Sequence, residues 1–266
     1  MEVLAVEHLP RAGLFSNCSV RLHWIVGYFN EHKRLPAQVC SKRQFIQFQH
    51  NPEIDVAKIL FSEREDLQIT YRHPIDYVHT KQFTNYRLLP LQDLRPLLEK
   101  YFTIAPVVVE REAALIQQYG LDFAKTIGVR YRGNDKIKET KLAPYELFFQ
   151  KAEELLQRHP GMRFLVQTDE LEFRDEFCAR FPNSVYFESL PVIPRDPKVS
   201  VRPTADNRVS FAIELLSAIR CLAQTAHLIS CSGNGEIWTV FFRGQAENVH
   251  QFLNDRFLDQ DETLAG

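Results

Sequence analysis

In the second half of the chain, short apolar runs alternate with stretches whose apolar residues recur every three or four positions. Thr126–Arg132 (TIGVRYR) is a short β-rich run. After Pro144, residues Tyr145, Phe148, Phe149, Ala152, Leu155 and Leu156 keep the spacing of one buried helical face. His159-Pro160-Gly161 supplies a stop. The pattern then predicts a strand at Arg163–Thr168, a helix over Glu170–Phe181 and a strand at Ser184–Phe187. Leu190–Asn207 carries four prolines and reads as a loop. A helix over Arg208–Ala226 follows, with Ala212, Leu215, Leu216, Ile219 and Leu222 on one face, and then a strand at His227–Cys231. Ser232-Gly233-Asn234-Gly235 is a tight turn, and two last helices are expected near Glu236–Phe242 and Ala246–Phe257.

The first half is less regular. Val3–Val6 reads as a strand, Asn17–Tyr28 as a helix and Ala37–Cys40 as a second strand. Residues 48–90 give weak signals, and helices near Leu91–Phe102 and Ala105–Tyr119 lead to the second half. Strands alternating with helices imply parallel, doubly wound α/β sheets. The expected division is an α/β domain over residues 1–122 and a second over residues 123–266, with Gly120 as a helix stop before the boundary.

Composition narrows the function. A length of 266 residues can bury one large core or two small ones. The formal net charge of -2 gives no general attraction to nucleic acid or anionic membrane, so a phosphate site must be local. The start MEVLAVEHLPRAG lacks a basic segment followed by a long apolar core, so no signal peptide is expected, and no apolar run reaches transmembrane length. The five cysteines form no Cys-x-x-Cys pair, which suits reduced thiols in a cytoplasm and disfavours zinc. No Walker loop, Gly-x-Gly-x-x-Gly or Gly-x-Ser-x-Gly is present. Asp259-Gln260-Asp261 has the spacing of a metal-binding carboxylate pair but sits in a polar tail, so no metal site is expected.

Ligands of open parallel sheets bind beyond the carboxyl ends of the strands. Three such ends carry unusual polar residues: Arg130–Lys136, Gln167–Glu170 and Ser232–Gly235. An arginine fork suits a diphosphate, as do backbone amides at a glycine-rich helix start. Arg132 fits the first role, and Ser232, Gly233 and Asn234 fit the second. Thr168 and Asp169 are placed to meet a nucleoside, with Arg130 and Asp135 beside them. Arg132 is equally compatible with a salt-bridged strand end, Asp169 with a helix N-cap, and the glycine turn with a plain turn. In the first half, Gly13 and Asn17 bracket a strand-to-helix loop. Glu7 and His8, at the end of the first strand, are the nearest candidates for a general base.

Ile127–Lys136 resembles the His-x-Arg-Arg-x-Asp strand–loop of the fucosyltransferase superfamily. Val166–Asp169 resembles its Thr-Asp or Ser-Asp strand end, and Glu214–Trp238 is similar to its last helix, strand and serine-rich turn. Gly13–Asn17 loosely resembles its N-terminal Gly-x-x-x-Asn loop. The likeness covers residues 127–240 better than the first half. It implies a GT-B-like fold, two Rossmann-like domains facing a cleft, with an acceptor half first and a donor half second. It also implies inverting, metal-independent transfer, usually from GDP-fucose, to a glycan or other hydroxyl acceptor, with no cofactor beyond the nucleotide-sugar co-substrate. By position, Arg132 matches the arginine on the donor β-phosphate, Asp169 the acidic residue near the nucleoside, and Ser232 and Asn234 the phosphate turn. Two departures stand out: Arg130 replaces the usual histidine, and Gly133 or Asn134 stands where a second arginine often lies. They keep open a non-catalytic binding relative, and an epimerase or hydrolase on the same fold is the other alternative.

Overall fold

The computed structural model describes residues 3–258. The chain forms two compact units, each built from separated segments. The first comprises Met1–Gln82, Leu88–Arg111 and Pro203–Ser217, and the second Phe83–Arg87, Glu112–Arg202 and Ala218–Gly266.

In the first unit, strand β1 (Val3–Glu7) leads through a short loop into helix α1 (Leu14–His32). The helix starts three residues before the expected Asn17, because the Asn17 amide turns back and donates to the carbonyls of Ala12 and Gly13, both at 3.1 Å. It ends where Lys33 turns left-handed and donates its N–H to Phe29. Strand β2 (Gln38–Arg43) pairs in parallel with β1. The short helix α2 (Val56–Leu60) is capped by Asp55, and strand β3 (Phe61–Ser62) follows. Helix α3 (Leu91–Tyr101) precedes strand β4 (Thr103–Ile104), which pairs antiparallel with β3. Leu22, Ile25, Val26, Phe29, Leu60, Phe61, Leu94 and Leu97 of these elements are buried. The expected doubly wound sheet is reduced here, among the described residues, to a two-stranded parallel pair and a two-stranded antiparallel pair.

Helix α4 (Pro106–Tyr119) precedes the main sheet of the second unit. That unit contains strand β5 (Thr126–Arg130), helix α5 (Tyr145–Arg158), strand β6 (Arg163–Gln167), helix α6 (Leu171–Arg180) and strand β7 (Val185–Tyr186). Helix α7 (Arg208–Gln224), which counts with the first unit up to Ser217, is followed in the second by strand β8 (His227–Ser230), helix α8 (Asn234–Arg243) and strands β9 (Val249–Leu253) and β10 (Arg256–Phe257). Six strands line up as β10-β9-β8-β5-β6-β7, all parallel except β10. Aromatic residues fill its core, where Tyr131 stacks on Phe173 with centroids 4.1 Å apart.

One expected element is different. Ala246–Phe257 is not a helix but the hairpin of β9 and β10. Val249, Phe252, Leu253 and Phe257 do fall at helical spacing, yet Asn254 and Asp255 both adopt left-handed backbone and turn the chain. Asn and Asp tolerate that conformation better than other side-chain-bearing residues, so the pair makes a turn where the apolar spacing alone read as a helix.

Candidate functional site

The strand order fixes where a ligand can sit in the second unit. From β5 the chain moves outward through β6 to β7, then returns through α7 to β8 on the other side of β5. The neighbours β5 and β8 are therefore the switch point, and the crevice beyond their carboxyl ends is the expected site. Beyond β5 lie Tyr131 and Arg132, and beyond β8 the turn Cys231–Gly233. A pocket of about 310 Å³ opens there, lined by Arg132, Lys136, Lys141, Cys231, Ser232 and Asp255 among others.

Arg132 lies just past the strand, where the Tyr131 N–H still donates to the Gln167 carbonyl at 3.1 Å. Its Nε is 3.2 Å from Asp169 Oδ2, and Nη2 is 3.4 Å from Asp135 Oδ1. Burial works against its charge, but the carboxylates of Asp169, Glu236 and Asp135 outweigh burial and raise its pKa, so it stays a cation. The side chain remains 30% exposed and lines the pocket, although Nε itself is buried.

Asp169 is buried and works on both sides of this loop. Besides facing Arg132, its Oδ1 accepts the Gly133 N–H at 3.0 Å. It is not the cap of α6; the N-cap position belongs to Glu170. Thr168 is buried, and its hydroxyl accepts the Glu170 N–H at 3.1 Å. The Asn134 N–H donates to Glu170 Oε2 at 3.2 Å, and burial raises the Glu170 pKa. Gly133 has no room for a side chain: a Cβ there would lie 1.6 Å from Glu170 Oε2.

Arg130 points elsewhere. It is 2% exposed, and its Nε donates to Glu236 Oε1 at 3.1 Å across to α8. Burial lowers its pKa, and Glu236 offsets part of that. Arg130 thus locks β5 to α8 rather than lining the pocket.

The turn after β8 is held by β9 and by Tyr86. Ser232 Oγ donates to the Phe252 carbonyl at 2.8 Å and accepts from Gln251 Nε2 at 2.9 Å. The Gly233 N–H donates to the Tyr86 hydroxyl at 3.0 Å, and that hydroxyl donates on to the Gly233 carbonyl at 3.2 Å. Asn234 opens α8. A Cβ at Gly233 would stand 2.4 Å from Glu236 Oε2 and 3.1 Å from Lys136 Nζ, so the side chains of this unit, not empty space, occupy that position.

The structure brings Arg132, Asp135, Asp169, Ser232, Gly233 and Asn234 to this one edge of the second unit. Arg130 and Thr168 are buried beside it, and the other candidates belong to the first unit. Glu7 is exposed and paired with Arg43 at 2.7 Å. His8 Nε2 lies 3.0 Å from Ser16 Oγ, and burial, then His79, lowers its pKa. Gly13 is the N-cap residue of α1 with open space around it, and Asn17 is buried in the first turn. Asp259 and Asp261 lie outside the described residues.

Sequence reasoning missed Lys136, Glu236 and Tyr86. Lys136 is 6% exposed, pairs with Glu139 at 2.6 Å and sits 4.9 Å from the Phe83 ring centroid. Its place one helical turn after Arg132 was the available signal. Glu236, in the first turn of α8, was legible as an acidic residue beside a glycine turn. Tyr86 reaches Gly233 from 147 residues away, and no local pattern announces it.

No described helix is long and apolar enough to cross a membrane, and no cluster of metal-ligating side chains occurs among the described residues. No family model matches the sequence, and no curated protein matches it either. Among solved structures, the fucosyltransferase NodZ from Bradyrhizobium matches with a TM-score of 0.57 at 13% identity, over 97% of this chain and 98% of that one. NodZ α-1,6-fucosyltransferase co-crystallized with GDP matches with a TM-score of 0.53 at 13% identity over the same shares of the two chains. The same enzyme soaked with GDP-fucose matches with a TM-score of 0.53 at 12% identity, over 91% of this chain and 92% of that one. At such identity the likeness speaks for the architecture, and this chain has a fucosyltransferase-like fold.

Proposed function

We propose that this protein transfers a sugar from a nucleoside-diphosphate sugar, with GDP-fucose the best candidate donor, to a hydroxyl acceptor, with inversion and without a metal. The observation that carries this reading is the placement of Arg132 and Lys136 beside the Ser232 turn, in a pocket at the β5–β8 switch point. The NodZ structures obtained with GDP and GDP-fucose support it through their shared fold.

In the reaction the acceptor oxygen bonds to the anomeric carbon while the bond from that carbon to the diphosphate oxygen breaks. The electron pair leaves with the diphosphate, where negative charge builds, and a base takes the acceptor proton. Arg132 and Lys136 stabilise the departing charge, and a positioned cation in a partly dry site is effective there. To do so, Arg132 exchanges part of its contact with Asp169 and Asp135 for phosphate oxygens. Of the two candidate bases, His8 suits the task better than Glu7. Its lowered pKa keeps the imidazole neutral and able to accept a proton, whereas Glu7 is exposed and held by Arg43. In this reading the second unit takes the donor and the first takes the acceptor.

A second reading has its own support. Arg132 already faces Asp169, and the Gly233 amide is already occupied by Tyr86. A protein that binds the nucleotide without turnover fits those contacts. A melting-curve screen against GDP-, UDP-, CMP- and dTDP-sugars, run in excess EDTA, tests the binding step, since a ligand selective for the folded state raises apparent stability. Stabilisation by the GDP compounds in EDTA is the expected result. Stabilisation seen only after manganese or magnesium is restored overturns metal independence. Release of GDP only when an acceptor is present separates transfer from hydrolysis and from binding alone.

A further inference from the structure

The first unit holds a second pocket, of about 430 Å³, between the start of β1 and the second half of α1. It lies toward the amino end of β1, away from the loop that carries His8 and Gly13. Its volume falls within the roughly 300–1,000 Å³ common for small-molecule sites. Val3, Leu4 and Ala5 line one side, and the α1 face of His23, Trp24, Gly27, Tyr28 and Glu31 lines the other, with His32.

Three features of that face are unusual together. Trp24 is 48% exposed, although so large an apolar ring normally gains most from burial. Gly27, one turn on, leaves open space where a side chain would cover the pocket. Tyr28 and His32 stand as a pair of rings with centroids 4.3 Å apart. Polar groups stand beside this aromatic wall. Glu31 is exposed and makes no ion pair among the described residues, and the Nδ1 of His23 has no hydrogen-bond partner there.

We infer that this pocket beside Trp24 binds the rings of a neutral saccharide. A pyranose offers an apolar C–H face that stacks on an indole, and a rim of hydroxyls that bond to carboxylate and imidazole. The charges fit a neutral ligand. Among the described residues, no Lys or Arg lines the pocket to hold an anion, and its one carboxylate there, exposed to water, holds a cation only weakly. An extended strand laid along β1 would use the backbone edge but leave Trp24 and Glu31 without a role. The inference does not depend on the donor chemistry of the second unit, so a failure here and a failure there are read separately.

The chain carries only two tryptophans, and Trp238 is fully buried in the second unit. A ligand-induced change in tryptophan emission is therefore expected to come from Trp24 and to disappear in Trp24→Phe. The full chain is titrated, free of nucleotide, with neutral gluco-, manno- and N-acetylglucosamine oligosaccharides up to millimolar concentration. The expected result is a saturable change in emission for at least one of them. A Cβ at Gly27 meets nothing within 4 Å, so Gly27→Leu puts a side chain into the pocket and is expected to abolish that change while the melting curve stays cooperative. By calorimetry, Trp24→Phe retains part of the binding and Trp24→Ala loses it. No saturable change with any of the three sugars overturns the inference, as does a change that persists in Gly27→Leu. If no sugar binds and Gly27→Leu instead alters self-association, the groove seats a second copy of the chain, and the inference also fails.

Discussion

Arg132 Nε lies 3.2 Å from Asp169 Oδ2, while the other oxygen of the same carboxylate accepts the Gly133 amide at 3.0 Å. One buried carboxylate thus sets both the side chain of Arg132 and the backbone that follows it. The Arg132–Asp169 contact is an ion pair whose geometry is not that of an aligned hydrogen bond, because Arg132 Nε and Asp169 Oδ2 both remain without one. A phosphate oxygen offering better alignment can compete for the guanidinium.

Arg132→Ala is expected to leave a folded protein whose sugar transfer falls by about a hundred- to a thousand-fold, the effect of roughly 3–4 kcal/mol lost at developing charge. Arg132→Lys keeps the charge but loses the planar fork, so it also falls strongly. The measurement is rate per folded molecule beside a melting curve. A normal rate in Arg132→Ala would remove the centre of the functional reading.

Asp169→Asn retains an oxygen for the Gly133 amide and removes the charge facing Arg132. It is expected to cost about 1–3 kcal/mol of stability, the range for a disturbed buried partner, and to weaken nucleotide binding because Arg132 is no longer held. Asp169→Ala is expected to weaken both further. Melting and titration of the same samples check this. Full nucleotide affinity in both variants would mean that Asp169 only supports the loop.

Arg130 and Glu236 make a separate test. Their side chains are 3% and 2% exposed, so each neutralises the other in a dry interior. Removing one partner leaves a buried charge, at a cost of about 3–5 kcal/mol. Arg130→Met and Glu236→Gln are each expected to lose stability on that scale in denaturant unfolding. The double variant Arg130→Met/Glu236→Leu is expected to recover much of it. If Arg130→Met keeps wild-type stability but loses nucleotide affinity, Arg130 contacts the donor instead.

Acid sensitivity should trace to His250. Burial lowers its pKa to about 3, with Lys151 and His227 adding to the shift. Its ring stacks near His227, whose pKa burial also lowers. With a folded pKa below the ordinary value near 6.5, the unfolded chain binds the extra proton. Stability is therefore full above about pH 6.5. It is lost as pH falls from there toward about 3, at up to about 1.4 kcal/mol per pH unit for each proton. His250→Phe is expected to flatten that part of the stability–pH curve. An unchanged slope would assign the acid sensitivity to other groups.

The alternation from β5 to β8 was legible because its helices keep one apolar face and its strands are short, buried runs. The carboxyl ends of β5, β6 and β8 could therefore be located, and with them Arg132, Asp169 and Ser232. What those residues touch was not legible. Arg130 ends β5 and Arg132 lies two residues past it, and the partners that separate them, Glu236 on α8 for one and Asp169 after β6 for the other, are far away in sequence. Residues 48–90 resisted reading because their elements are two to five residues long, too short to show a period. The β9–β10 hairpin was misread because Val249, Phe252, Leu253 and Phe257 fit a helix, and only the Asn254-Asp255 turn argues otherwise.

Gly133 offers the sharpest test of the Arg132 loop. A Cβ there would lie 1.6 Å from Glu170 Oε2 and 2.6 Å from Glu170 Cδ, so even alanine forces that carboxylate to move. Glu170 is fully buried, and its Oε2 accepts the Asn134 amide, so the movement breaks the bond that holds the loop behind Arg132. With Glu170 in place, position 133 admits no arginine, whereas Asn134 carries a side chain already. Gly133→Ala is expected to destabilise the protein by about 1–3 kcal/mol, as overpacking does, and to lower transfer through displacement of Arg132. Glu170→Ala alone loses the Asn134 contact but leaves room at position 133. In the double variant Gly133→Ala/Glu170→Ala the overlap with the carboxylate no longer exists and only the 3.2 Å approach to the Cβ of residue 170 remains, so its loss of stability should be smaller than the sum of the two single losses. Unfolding free energies of the four proteins measure the coupling. Strict additivity would show that Gly133 is required for another reason and that Glu170 does not exclude a side chain there.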